Sequence, residues 1–183
     1  LPLLERRVKK IMTANRTVEV EAKVVKGLGE LPAATIHEVM GKKGAMDAGI
    51  KGIDVSMKLY GRALTVQCRP GDNLALHKAI SIAKPGDVLV ATMDGHLEGG
   101  AWGEIATVAA QVRGITGLVI DGGVRDTEQI IKLGFPVFSR GVSIKGTTKK
   151  SLAGVNIPIV CGGVVVKPGD IVIGDRDGVV VVP

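Results

Sequence analysis

The sequence GLVIDGGVRDTEQIIKLGFPVFSR, residues 117–140, predicts a strand, a helix and a second strand in direct succession. GLVIDG is an apolar run that suits a buried strand. RDTEQIIKLG has helical spacing and ends at Gly134, and PVFSR is a second, short strand. Strands joined in this way lie parallel in one sheet, through a right-handed crossover. The segment therefore predicts an α/β fold.

Units of the same kind precede this segment. RALTVQC at 62–68 predicts a strand, and the next helix is expected to begin at Asp72 or Asn73. GDVLVATMD at 86–94 is apolar almost throughout, which predicts a strand buried on both faces. GHLEGGA predicts a loop, and WGEIATVAAQVRG at 102–114 predicts a helix of small residues. The middle of the chain is thus a series of α/β units around a largely parallel sheet.

The two ends of the sequence have other patterns. LLERRVKKIM at 3–12 has helical spacing with a basic face, whereas VEVEAKVV at 18–25 alternates like a strand or an extended arm. Thr35, followed by Glu38, forms a capping-box pattern that predicts the start of a helix. Near the carboxyl end, IPIVCGGVVV and DIVIGDRDGVVVV predict antiparallel strands, with a final turn at 177–178.

We divide the sequence into an N-terminal helix and arm, residues 1–30, and a single domain, residues 31–183, because no repeat or low-complexity linker interrupts it. The net charge of +6 suits a small anionic partner, while an aromatic content of only 2% argues against a nucleic-acid partner bound by base stacking. Cys68 and Cys161 lie in apolar runs, which predicts buried thiols. With neither a signal peptide nor a membrane-length apolar run, we expect a cytoplasmic protein without a membrane partner.

Two strand ends carry polar residues, and ligands tend to bind beyond the carboxyl ends of parallel strands. After the strand at 86–94, GHLEGGAWGEIA leads into a helix near Gly103, and the N–H groups at a helix start bind anions. Glu104 lies in the first turn, where it either contributes to a site or only complements the helix dipole. His96, on the same glycine-rich loop, is a further candidate.

The second strand end is VIDGGVRDTEQI. Arg125 offers a planar guanidinium suited to a carboxylate or an enolate oxygen, and Asp126 offers hard oxygen ligands for Mg²⁺ or Mn²⁺. The alternative is that Asp126 caps the following helix and that Arg125 is a solvated surface charge. The sequence lacks a P-loop, a dinucleotide-binding glycine fingerprint, a zincin histidine pair and a GxSxG nucleophile elbow, which argues against those enzyme classes.

Five segments, taken in order, carry a resemblance: GAMDAGIKGI, GRALTVQCRPGDNLALHKAI, KPGDVLVATMDG, GGAWGEIATVAAQVRGITGLVIDGGVRD and LGFPVFSRG. The most specific feature is AWGEIAT, with Arg125 and Asp126 following 22 residues after Gly103 and Glu104. Together, the segments resemble the 4-hydroxy-4-methyl-2-oxoglutarate / 4-carboxy-4-hydroxy-2-oxoadipate aldolase family, which also contains the RraA-type regulators of ribonuclease activity. The resemblance runs from about residue 31 to residue 183.

This resemblance implies a compact, swivelling β/β/α sandwich that assembles as homotrimers, often paired into hexamers, with active sites between subunits. It implies a class II aldolase that needs a divalent metal ion, Mg²⁺ or alternatively Mn²⁺. Such an enzyme cleaves anionic 4-hydroxy-2-oxo acids to pyruvate and a second 2-oxo acid, and it also decarboxylates oxaloacetate. The alternative within the family is a non-catalytic RraA-type regulator that binds an RNA-processing enzyme; these regulators lack the metal-binding aspartate.

The family's site residues carry over onto matching positions. Asp126 matches the metal-binding aspartate, Arg125 matches the substrate-binding arginine, and Glu104 matches an acidic position that contacts metal-bound water. The segment whose backbone amides hold the pyruvate carboxylate in the family matches Gly103, Glu104, Ile105 and Ala106.

From these assignments we expect a metal ion on Asp126 to stabilise the pyruvate enolate, with Arg125 adding positive charge at the enolate oxygen. A metal-bound water polarised by Glu104 is expected to take the proton of the 4-hydroxyl group. Two positions depart from the family. His37 and Glu38 stand where Ser-Asp is usual, and the sequence ends in VVVVP where family aldolases continue into a helix that lends an acidic residue to the neighbouring site.

Overall fold

The computed structural model of the chain describes residues 21–183. The helix predicted at 3–12 and the first residues of the predicted arm lie outside this range. The helices are α1 (Ala22–Gly29), α2 (Ala33–Val39), α3 (Leu74–Ile82), α4 (Glu104–Val112) and α5 (Thr127–Lys132). The strands are β1 (Lys51–Gly52), β2 (Leu59–Gln67), β3 (Asp87–Thr92), β4 (Gly100–Trp102), β5 (Gly117–Val124), β6 (Val137–Val142), β7 (Gly154–Val155), β8 (Ile159–Cys161), β9 (Val164–Val166), β10 (Ile171–Asp175) and β11 (Gly178–Val182).

The main sheet has a parallel centre and antiparallel edges. Its strand order is β1-β6-β5-β3-β2-β10-β11, and β4 and β7 pair with β5 and β2. The four central strands β2, β3, β5 and β6 run parallel, whereas β10 pairs with β2 and β11 in antiparallel fashion. The predicted α/β crossovers and antiparallel tail are therefore confirmed.

Alternating side chains of the central strands build two core layers. All six residues of β3 are buried, which confirms the prediction for this strand. Leu89 and Ala91 join the layer beneath α3, α4 and α5, whereas Val88 and Val90 join the layer beneath the β8–β9 hairpin. The sheet is thus covered by helices on one face and by a second, small sheet on the other, which is the β/β/α sandwich implied by the resemblance.

Two predictions near the start of the described chain are wrong. Residues 22–25 belong to helix α1 rather than to a strand or arm, because Val25 packs with Ile171 and Ile173 of β10. Helix α2 begins after Pro32, not at Thr35, which lies inside the helix. The carboxylate of Asp175 accepts a hydrogen bond from the N–H of Ala33 at 2.8 Å, so a distant residue caps this helix.

Three further predictions are corrected by the structure. The segment IPIVCGGVVV forms a hairpin, not one strand, because Gly162 and Gly163 adopt positive φ angles of 54° and 76° between β8 and β9. Part of the loop GHLEGGA forms strand β4. The final turn lies at residues 176–177, one position earlier than predicted, since Asp175 pairs with Gly178.

The two cysteines are buried as predicted, and burial raises the pKa of both thiols to about 12. Cys161 donates a hydrogen bond to the carbonyl oxygen of Ala91. Such thiols are unreactive near neutral pH. No helix within residues 21–183 combines the length and apolar character needed to cross a membrane.

Candidate functional site

Strand β4 brings the two predicted strand ends together. It pairs in parallel with the end of β5, with Gly100 opposite Gly123 and Trp102 opposite Val124. Both strands then stop. The backbone N–H of Arg125 donates a hydrogen bond to the carbonyl oxygen of Trp102 at 2.8 Å. The start of α4 and the residues that precede α5 therefore lie side by side at the carboxyl edge of the sheet.

Asp126 occupies the N-cap position of α5, but its side chain makes no capping bond to that helix. Instead its Oδ2 atom accepts a hydrogen bond from the backbone N–H of Glu104 at 3.1 Å. A left-handed backbone, with φ 55° and ψ 36°, turns the side chain in this direction. Aspartate tolerates this conformation better than most residues. The carboxylate thus lies at the N-terminus of α4, where the helix dipole favours negative charge.

The Arg125 side chain lies beside the Asp126 carboxylate but forms only a loose ion pair with it. Its Nε atom is 3.6 Å from Oδ2 of Asp126, and the two side chains are 44% and 39% exposed. An exposed pair at this separation contributes little to stability. Both charged groups therefore remain accessible to a ligand, which fits a binding role better than a structural ion pair.

Two glycines permit this close approach. A Cβ atom at Gly103 would overlap Oδ2 of Asp126, and one at Gly100 would lie 2.8 Å from Cβ of Arg125. Glycine at these positions is needed because there is no space for a side chain, not because the backbone is unusual at Gly103, where φ is −153°.

Buried hydrogen bonds fix the start of α4. The indole N–H of Trp102 donates to Oγ1 of Thr107 at 2.8 Å, and the Thr107 hydroxyl donates to the carbonyl oxygen of Gly103 at 3.0 Å. Trp102 is fully buried and stacks on Phe135, with ring centroids 6.1 Å apart. The first turn of α4 is therefore held on a rigid support, while Glu104 and Ile105 point their side chains into solvent.

The segment 143–151 borders the site. The N–H of Ser143 donates to the carbonyl oxygen of Val124, and the N–H of Gly100 donates to that of Lys145, each at 2.8 Å. Oδ2 of Asp72 holds the far end of this segment by accepting hydrogen bonds from the Thr148 hydroxyl and from backbone N–H groups of residues 150 and 151. Burial alone would raise the pKa of Asp72, but these hydrogen bonds, together with one from the N–H of Leu74 to Oδ1, outweigh it and lower the pKa to about 2.

The three histidines occupy different surroundings. His96 lies on the loop next to β4, where its Nε2 atom borders Gly71 and Gly99. Burial, with a contribution from Lys149, lowers the pKa of His77 in α3, so this side chain is neutral at pH 7. His37 lies in α2 and its Nδ1 atom is 3.0 Å from the carbonyl oxygen of Lys43.

Sequence reasoning missed an ionic cluster at the same edge of the sheet. Arg140 of β6 donates from Nε to Oδ1 of Asp121 on β5, and from Nη2 to Oδ2 of Asp47 at 2.8 Å. Oδ2 of Asp121 also accepts the N–H of Gly162 at 3.0 Å. The hydrogen bonds to Asp121 and Asp47 raise the pKa of Arg140 above its usual value. The sequence contains a signal for this cluster, because Asp121 and Arg140 each end an apolar run that predicts a strand. In the sheet, these opposite charges lie one residue beyond the paired Ile120 and Ser139 of the parallel strands β5 and β6.

The donor set for a metal ion is small. Residues 21–183 contain no cluster of three or more His, Cys, Asp or Glu side chains placed to bind one. Mg²⁺, however, is commonly held by one or two carboxylates, with water and substrate oxygens completing the shell. Asp126, with Glu104 as the neighbouring acidic residue, fits that mode of binding. A site that needs several protein ligands, such as structural zinc, does not fit.

Comparison with known proteins agrees with the fold. Residues 33–181 match the RraA-like family, described as Aldolase/RraA. A protein of Halalkalibacterium halodurans named "Putative 4-hydroxy-4-methyl-2-oxoglutarate aldolase" is 38% identical over 153 residues, which cover 84% of this chain and 73% of that protein.

Solved structures show the same architecture. The RNA-processing inhibitor RraA from Thermus thermophilis superposes with a TM-score of 0.77 at 25% identity, covering 84% of this chain and 93% of that chain. An unusual member of the RNase ES inhibitor RraA protein family from Streptomyces coelicolor gives a TM-score of 0.78 at 29% identity, covering 90% and 87%. These matches confirm the resemblance found in the sequence: the chain belongs to the RraA-like family.

Proposed function

We propose that the chain is a carbon–carbon lyase that cleaves 4-hydroxy-2-oxo di- or tricarboxylic acids to pyruvate and a second 2-oxo acid, and that also decarboxylates oxaloacetate. One observation carries the proposal: the Asp126 carboxylate, the Arg125 guanidinium and the N-terminus of α4 converge at one exposed edge of the sheet. Both reactions leave an electron pair on C3 of pyruvate, so one enolate-stabilising site serves both.

Asp126 is the residue that would hold a divalent cation, Mg²⁺ or alternatively Mn²⁺. The bound cation supplies Lewis-acid stabilisation of the enolate oxygen. Aspartate oxygens suit either metal. The αL backbone of Asp126 and its bond to the N–H of Glu104 place the carboxylate before any ligand arrives.

Arg125 adds positive charge where the enolate oxygen develops. Its side chain is partly exposed, and its backbone is fixed to Trp102. A preorganised cation of this kind stabilises the transition state more than the ground state. The planar guanidinium can also donate hydrogen bonds to two substrate oxygens at the same time.

The first turn of α4 is the proposed cradle for the pyruvate carboxylate. The Glu104 N–H is already bonded to Asp126, so the next amides, those of Ile105 and Ala106, are the ones that would bind the substrate. The exposed Glu104 side chain is the proposed acceptor for the proton of the 4-hydroxyl group, directly or through water.

We also propose that the chain forms a homo-oligomer, a trimer or a dimer of trimers. An exposed apolar stripe on α4 beside the site supports this: Ile105, Val108 and Val112 are 81%, 44% and 83% exposed. Their spacing places them on one face of the helix. Light scattering coupled to size exclusion should give a mass of three or six chains, and Val112→Asp should lower it.

The decisive experiment couples pyruvate formation to lactate dehydrogenase, with oxaloacetate and a panel of 4-hydroxy-2-oxo acids as substrates. Activity is expected with Mg²⁺ and should disappear in excess EDTA. Asp126→Asn is expected to lower kcat/KM by about a hundredfold or more, because Lewis-acid stabilisation is worth several kcal/mol. Asp177→Asn, at the opposite end of the sheet, is the matched control.

The rival function is regulation of an RNA-processing enzyme, which the similarity to the Thermus inhibitor supports. Asp126 favours the lyase, since it provides the metal ligand that the resemblance assigns to the aldolases and not to the regulators. If no substrate yields pyruvate, with or without a metal ion, the regulatory function is favoured over the lyase.

A further inference from the structure

A cavity lies at the end of the sheet opposite the candidate site. It has a volume of about 410 Å³ and is bordered by α1, the first residues of β2, the turn at Pro85 and Gly86, and Thr116 just before β5. The candidate site follows the other end of β5. Eight residues at roughly 3.3 Å each separate the two places by about 25 Å. The cavity is therefore independent of the proposed reaction, and its volume is typical of small-molecule pockets.

The polar lining of this cavity is cationic. Lys26 of α1, Lys58 just before β2 and Arg62 of β2 contribute to it, and within residues 21–183 no acidic side chain lines it. Lys26 and Lys58 are exposed, and neither forms an ion pair with any residue in the range 21–183. These two ammonium groups raise the local potential and favour an anion over a neutral ligand.

The remaining lining is mostly apolar. Val25, Leu59 and Pro85 contribute aliphatic surface, and Tyr60 contributes an aromatic ring that is packed against Gly29 of α1. The Thr116 hydroxyl is already committed, because it donates to the carbonyl oxygens of Tyr60 and Asp87 at 3.3 and 3.1 Å. The cavity thus combines charge at its rim with an apolar interior that has few polar groups of its own.

We propose that this cavity binds a small organic carboxylate with a ring-sized apolar body. The carboxylate is held by Lys26 and Lys58, and the apolar body packs on Val25, Leu59 and Pro85. An inorganic anion would leave the apolar lining unused, and a neutral ring would leave the lysines without a partner. The amphipathic anion is the class that satisfies both parts of the lining.

Isothermal titration calorimetry with benzoate, benzyl alcohol and benzamidine tests this at low ionic strength. Benzoate should bind once per chain, at least about tenfold more tightly than the neutral and cationic analogues. The double substitution of Lys26→Gln and Lys58→Gln should weaken benzoate binding about tenfold, since each lysine contributes a modest, partly screened charge. Lys78→Gln, an exposed lysine on α3, is the matched control and should bind as the unaltered chain does.

A second pair of variants locates the ligand. Ala22→Trp adds bulk at the cavity wall without changing charge and should abolish benzoate binding, whereas Arg125→Gln should leave it intact. Thermal midpoints verify that each variant is folded. The proposal is overturned if benzoate gives no binding heat, if benzyl alcohol binds equally well, or if binding survives Ala22→Trp and is lost in Arg125→Gln. The last result would place benzoate in the candidate site instead.

Discussion

The Asp126 carboxylate accepts a hydrogen bond from the backbone N–H of Glu104 at 3.1 Å, although the two residues are 22 positions apart. Asp126 therefore caps α4, a helix that ends before strand β5 begins, and leaves α5, the helix it precedes, without a side-chain cap. A substrate carboxylate and Asp126 would consequently share one helix N-terminus.

Gly103→Ala should damage the site with little effect on the fold. The added Cβ would overlap Oδ2 of Asp126, while the extended backbone at φ −153° accepts any residue. We expect pyruvate release to fall by about a hundredfold, because displacement of a catalytic group by about 1 Å has effects of that order. Gly27→Ala is the control: it has no heavy atom within 4 Å and should raise stability by about 0.5–1 kcal/mol. Unaltered kcat/KM in Gly103→Ala would contradict the placement of Asp126.

Substitutions of Arg125 should act on the chemical step. Arg125→Gln removes the charge beside the Asp126 carboxylate and should lower kcat about a hundredfold. Arg125→Lys keeps the charge but loses the planar fork, so it should recover only part of the rate. Steady-state kinetics with oxaloacetate and saturating Mg²⁺ provide the measurement. A rise in KM with kcat unaltered would mean that Arg125 contributes only to substrate binding.

Asp121→Asn should destabilise the chain more than Asp47→Asn. Arg140 pairs with both carboxylates, but the Asp121 side chain is 11% exposed and the Asp47 side chain is 54% exposed. Loss of the buried partner should lower the free energy of unfolding by about 3 kcal/mol, and loss of the exposed one by less than about 1 kcal/mol. Urea unfolding of both variants at pH 7 measures the difference. Equal losses of unfolding free energy in the two variants would contradict a larger structural role for the ion pair between Arg140 and Asp121.

Asp72 should make stability depend on pH in the acid range. Its pKa is about 2 in the folded chain against 3.8 for an unperturbed aspartate. Because the pKa of Asp72 is lower in the folded chain, this carboxylate stabilises the fold at every pH above the pKa that it has in the unfolded chain. That contribution disappears as pH falls from about 4 to about 2. With screening by solvent it amounts to about 1–2 kcal/mol. Asp72→Asn should flatten the unfolding free energy over this interval, and an unaltered pH profile would contradict the assignment.

The parallel centre of the sheet could be predicted because its strands are long apolar runs separated by helices with clear end signals. Strand β4 could not, since Gly100 and Ala101 carry no periodic pattern and pair only because the end of β5 is nearby. The start of α2 was missed for a similar reason. Its cap comes from Asp175, 142 positions away, so the local pattern at Thr35 had no influence on it.

The candidate site, too, could be predicted from the sequence only in part. The residue types at Arg125 and Asp126 indicated a metal and an oxyanion, and the resemblance indicated which neighbours to expect. The direction of the Asp126 side chain was not predictable, because it follows from a left-handed backbone and from the pairing of β4 with β5. Capping of α5 by Asp126, the alternative considered for this stretch, is not what the structure shows.

The pairing of β4 with β5 also determines where this scaffold can change in evolution. Because Gly100 and Trp102 are held in register with Gly123 and Val124, an insertion after β4 or β5 would move one half of the site away from the other. Insertions in the loop before β4 or in the segment 143–151 would leave that register intact. New ligand specificities are therefore expected to arise from variable length in those two flanking segments, while the spacing of Gly103, Glu104, Arg125 and Asp126 stays fixed.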